Sequence, residues 1–211
     1  MDGFIFYWLS WVTVVIVYFF MKPSFVRTRL LVFSLVTIIL SSFSFTWFFI
    51  EWNFAYFSFI LLCLVSMMRL KKIQLAFGLI VSFVIANWLL IIHRAAYIEP
   101  VWLIWPPLWL VSSITILSLV IFFRHFHTRI YSLIGGVFQG IILTSMMNLI
   151  DPSLSVERYS GIESLFVLDV LSLSICSVIC WTKAETVAKS LKENYIHSSY
   201  RSVQQNTKMN A

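Results

Sequence analysis

Charge is scarce in this chain of 211 residues: Asp, Glu, Lys and Arg make up 11% of it, against 60% hydrophobic and 18% aromatic residues. No soluble fold has enough interior to hide that, so the composition excludes a water-soluble domain and points to a membrane protein. Cysteine is limited to Cys63, Cys176 and Cys180, all inside apolar runs and without paired spacing, which excludes a disulfide framework and suits small apolar packing. Every proline, Pro23, Pro100, Pro106, Pro107 and Pro152, lies at or between the ends of apolar runs, and the first three runs do not echo the last three, which excludes a transporter of the repeated-half kind. The last run has no lysine and so cannot hold retinal as a Schiff base. Strict polar–apolar alternation is absent from the long runs, which excludes an outer-membrane barrel.

What is present is a set of seven apolar runs, near Gly3 to Met21, Leu30 to Ile50, Phe54 to Met68, Ile73 to Ile92, Trp102 to Phe123, Ile130 to Ile150 and Ser164 to Trp181. A bilayer core about 30 Å thick takes roughly 20 helical residues, and only helices satisfy the backbone of such runs internally. The expected fold is therefore all-α: a polytopic transmembrane bundle of seven helices over residues 1–181, with a tail over 182–211. The basic residues sort by gap. Lys22, Arg27 and Arg29, then Arg69, Lys71 and Lys72, then Arg124 and Arg129, then the tail cations all fall on one side, leaving only Arg94 and Arg158 on the other. Cations resist translocation, so the rich side is expected to be cytoplasmic, with the amino terminus outside and the carboxyl terminus inside. Asp2, Glu51, Glu99, Asp151, Glu157 and Glu163 then all land outside.

The net charge of +6 thus describes a cytoplasmic face suited to anionic lipid headgroups. Scattered over short loops, these cations give no footprint for nucleic acid. The first run lacks a basic start and a small-residue cleavage site, so it reads as a retained membrane helix. Past Lys183, the residues Ala184, Val187, Ala188, Leu191 and Tyr195 keep helical spacing opposite Lys189, Lys192 and Glu193, which predicts an amphipathic cytoplasmic stretch. From His197 on, Ser, Gln and Asn predict disorder.

Polar residues at membrane depth are costly unless paired or wetted, so they are the leading site candidates. Asp169 is the one ionisable side chain well inside a run, roughly 8 Å below the outer end of its helix by helical rise. Asn87 lies at similar depth and is the expected partner, with Asn148 and Gln139 extending the network. Burial without a cation or water would favour the neutral, hydrogen-bonding form of Asp169. The recurrence of Asp169, Ser172, Cys176 and Cys180 gives one helix a small polar stripe, and Ser132, Gly136, Gly140 and Thr144 form a small-xxx-small seam on another.

On the outer face, His93 and Arg94 with Glu99 nearby form a cluster that reads either as an interfacial pair or as an acid–base site. All of the nine tryptophans except Trp181 belong to the outer half, where they either anchor the headgroup level or line an outward groove. Trp102 and Trp105 fall in EPVWLIWPPLW, Glu99 to Trp109, whose paired prolines suit the first turn of a helix beginning near Pro106. His125 and His127 gather no further ligand, so no metal site and no cofactor are expected.

FYWLSW at Phe6 to Trp11, EPVWLIWPPLW at Glu99 to Trp109 and LDVLSL at Leu168 to Leu173 resemble the YphA-like membrane proteins of endospore-forming Gram-positive bacteria, along most of the chain. The resemblance implies a multi-pass protein of a bacterial plasma membrane and carries no reaction with it. Three functions stay open. The first is a non-catalytic membrane protein that binds or organises a protein partner in the bilayer. The others are a small-solute or ion transporter using Asp169, and an enzyme acting on lipid or envelope substrates.

Overall fold

Among the described residues, apolar runs separated by short basic or Ser- and Pro-containing turns fold into seven helices: α1 (Phe4–Phe20), α2 (Phe25–Leu40), α3 (Ala55–Met67), α4 (Lys72–Ile98), α5 (Pro107–Phe122), α6 (Phe126–Ile150) and α7 (Ser164–Met209). The computed structural model describes residues 3–47, 50–98, 103, 105–150 and 164–209, and their side chains except at 47, 50, 51, 97, 98, 148–150, 164 and 193–209. By length and composition, three stretches among the described residues can cross a membrane: Lys72–Ala96, Phe126–Met147 and Leu165–Lys192. The helices α1, α3 and α5 are also apolar but shorter.

Local chemistry explains the boundaries. Ser24 caps α2 by accepting from the Arg27 amide at 3.3 Å, so this helix starts at Phe25 rather than at Leu30 and takes Arg27 and Arg29 into its first turns. It also ends earlier than the apolar run, at Leu40. Ser41, Ser42 and Ser44 offer the backbone competing hydrogen bonds, and the aromatic and β-branched residues that follow favour an extended chain. The result is an antiparallel hairpin of β1 (Ser44–Trp47) and β2 (Ile50–Asn53), with Phe45 opposite Trp52 and Thr46 opposite Glu51. Pro106 caps α5 and Pro107 occupies its first position, where the missing N–H has no partner to lose. The last helix continues to Met209, through the stretch from His197 expected to lack regular structure; with neither Gly nor Pro after Gly161, nothing in the sequence stops it.

The long helix α6 is the centre of the bundle, packed against α3, α4, α5 and α7, while α1 lies against α7 and α2. Its chief neighbour is α4, and the expected seam is what joins them. A methyl on Gly136 would stand 2.8 Å from Ile85 Cβ and 2.9 Å from the Ser82 carbonyl oxygen; one on Gly78 would stand 2.9 Å from the Tyr131 ring. One on Gly140 would stand 3.3 Å from Leu89. A side chain at Gly136 would therefore force the two backbones apart. The Ser132 hydroxyl adds a hydrogen bond to the Gly78 carbonyl at 3.1 Å.

These contacts also give the directions. Residues 78, 82 and 89 of α4 meet 131, 136 and 140 of α6 in ascending order, so the two helices run parallel. The start of α1 lies against the start of α7, where Gly3 approaches Leu165, and the start of α6 lies beside residues 182 and 185 of α7. Along α7, the starts of α1 and α6 therefore lie toward opposite ends.

Candidate functional site

The first turn of α1 leaves backbone amides without helical partners, and Gly3 at its N-cap has no side chain to satisfy them. Asp169, only 4% exposed on α7, supplies the missing acceptor: Oδ2 accepts from the Gly3 amide at 2.8 Å and Oδ1 from the Phe6 amide at 2.7 Å. A carboxylate at a helix N-terminus also meets the positive end of the helix dipole. Glycine is needed at position 3 on two counts, a left-handed φ of 88° and a Leu165 side chain only 3.3 Å from where a Cβ would sit. The next turn extends the polar chain. The Tyr7 and Ser41 hydroxyls meet at 3.0 Å, the Ser41 carbonyl accepts from Asn53 Nδ2 at 2.9 Å, and Asn53 Oδ1 accepts from the Ala55 amide at 2.9 Å. One connected set of hydrogen bonds and helix backbone therefore ties α7, α1, α2 and α3 together at one end of the bundle.

The polar network expected around Asp169 is arranged differently. Asn87 turns back on its own helix, donating from Nδ2 to the Phe83 carbonyl at 2.8 Å, because that carbonyl lies one turn away while Asp169 is taken up by α1. Gln139 belongs to the seam, where its Oε1 lies 3.2 Å from the Ser82 hydroxyl. Asn148 sits on α6, with its side chain outside the described residues. His93 and Arg94 are both half-buried near the end of α4, and one Arg94 guanidinium nitrogen is buried without a hydrogen-bond partner. Glu99 and Trp102 lie outside the described residues. Trp105 is 59% exposed just before α5. Among the described residues, no group of three or more His, Cys, Asp or Glu could hold a metal ion.

A second polar joint, at the opposite end, was not anticipated. By sequence Arg129 groups with the solvated cations of a loop, yet its side chain is 1% exposed in the first turn of α6. All three nitrogens of its guanidinium are engaged. Nε donates to the Phe123 carbonyl at 2.9 Å, Nη2 to Glu185 Oε1 at 2.9 Å, and Nη1 to Glu185 Oε2 at 3.3 Å and to the Thr182 hydroxyl at 3.2 Å. Trp181 Nε1 donates to the same Glu185 oxygen at 2.6 Å. The pair thus fastens the end of α5 and the start of α6 to α7. By helical rise, the two joints stand about 24 Å apart along α7. The available signal was the spacing of Trp181, Thr182 and Glu185, which puts an acid one turn beyond the last apolar run, facing the same way as the indole.

Among the described residues, seven helices, three of them long and apolar enough to cross a bilayer, with the main buried polar joints set at the two ends of the bundle, define a multi-pass integral membrane protein. More narrowly, the chain belongs to the YphA-like integral membrane protein family, whose model matches residues 2–205. No curated protein and no solved structure matches it.

Proposed function

We propose that this protein is a non-catalytic membrane protein that binds or organises a protein partner in a bacterial plasma membrane. In this reading it crosses seven times, with its amino terminus outside and its carboxyl terminus in the cytoplasm. The observation that carries the reading is the use of Asp169. A transporter or an acid–base enzyme needs its intramembrane carboxylate at a water-filled cavity or a substrate, and here both oxygens are engaged by the backbone amides that begin α1. The proposed orientation is supported by the cations: Arg69, Arg124 and Lys183 all lie toward the Arg129 end, the end away from Asp169.

Two measurements test this. Protein reconstituted into liposomes carrying an internal pH-sensitive dye should pass no more protons or monovalent cations than empty vesicles. A flux that disappears in Asp169→Asn would replace the proposal by a transporter. For the orientation, a reporter active only in the cytoplasm should be active when fused after Ala211 and silent when fused before Met1; activity at both ends, or at neither, rules out an odd number of crossings.

A further inference from the structure

The Arg129 end of the bundle holds a second pair of basic side chains that is not closed by an acid. Arg69, in the turn between α3 and α4, approaches His127 in the first turn of α6, with Nη1 at 3.4 Å from Nε2. Arginine is always protonated and offers only donors, so the Nε2 lone pair must face it, and the imidazole proton then sits on Nδ1. That Nδ1 is buried without a hydrogen-bond partner. Among the described residues the ion pair of this end is Arg129 with Glu185, so neither Arg69 nor His127 has a carboxylate to balance it. The backbone raises the same demand. Helices α4 and α6 run parallel and start side by side here, with no acidic residue in either first turn, so their positive ends add rather than cancel.

We propose that Arg69 and His127 form a binding site for the phosphate of an anionic lipid headgroup. A phosphate at Arg69 would take charge-assisted hydrogen bonds from the guanidinium, which the His127 ring steadies from the side through Nε2, while facing the two helix N-termini. The surroundings favour a lipid over a free ion. Met68 and Ile73, on either side of Arg69 in sequence, are 87% and 84% exposed, among the most exposed apolar side chains of the described residues. A cation between two bare apolar side chains matches the boundary where a headgroup meets its acyl chains. The site is independent of the proposed partner-binding role, and neither result decides the other.

The test is native mass spectrometry of the intact, detergent-solubilised protein with added phosphatidylglycerol or phosphatidylcholine, alongside titration with inorganic phosphate alone. Wild-type protein should retain one phosphatidylglycerol in preference to phosphatidylcholine. Arg69→Gln should weaken that binding about tenfold or more, the scale of a lost charge-assisted contact, and His127→Ala should weaken it in the same direction. Lys22→Gln, an exposed cation in the turn between α1 and α2, is the control and should leave it unchanged. Arg69 is exposed, so its variant should keep the wild-type melting midpoint, which separates lost binding from lost folding. If inorganic phosphate binds in an Arg69-dependent way while neither lipid is preferred, the phosphate site stands and the lipid source falls. Equal retention of both lipids with no phosphate binding, or equal weakening by Lys22→Gln and Arg69→Gln, overturns the proposal.

Discussion

Glu185→Ala should lower the stability of the solubilised protein by about 3 kcal/mol, because it leaves the Arg129 guanidinium buried and without its counter-charge. Glu185 is itself 30% exposed, so water reaching the vacated space keeps the loss at the lower end for a broken buried pair. The loss should appear as a lower thermal midpoint in detergent and as faster proteolysis where α7 meets α6. The combination Arg129→Met with Glu185→Leu should recover most of it, since an apolar pair has no charge to desolvate. A double variant as unstable as the sum of its parts would show that the two residues act separately, against the 2.9 Å contact between them.

Asp169→Asn should cost about 2 kcal/mol, although it keeps the shape of the side chain. The amide oxygen can accept from one of the two α1 amides, but its NH2 group then faces the other N–H, donor against donor. The defect should be local: hydrogen exchange at the first turn of α1 should quicken well before the rest of the bundle is affected. Asn87→Ala offers the contrast. Its side chain bonds only a carbonyl one turn away on its own helix, so that change should stay within about 0.5 kcal/mol of wild type. If Asp169→Asn melted with the wild type and exchanged at the same rate, the cap would have no energetic weight.

Sequence periodicity revealed the parts of this fold that depend on spacing. Ser132, Gly136 and Gly140 repeat every four residues, and that repeat is the surface on which α4 rests. The paired prolines mark the start of α5 for a reason contained in proline itself. Asp169 could be singled out as buried because a carboxylate within an apolar run has few alternatives. Its partners could not be read, since backbone amides carry no mark in a sequence and every residue but proline has one. Arg129 was missed because it stands one position before an apolar run, where a solvated loop cation and a buried one look alike; only the acid contributed by a helix remote in sequence tells them apart. The hairpin was hidden because Phe45, Thr46 and Trp47 are as apolar on average as the helix they follow. Asn53, which fixes the entry to α3, is a single polar residue whose importance depends on Ser41 reaching it.

The carboxylate that completes the first helix belongs to the last one. During synthesis, α1 emerges with bare amides, and its acceptor is not made until residue 169 has been added. The first turn of α1 therefore stays uncapped until more than 160 further residues have been added. Any chain that stops short of that point leaves those two amides to water.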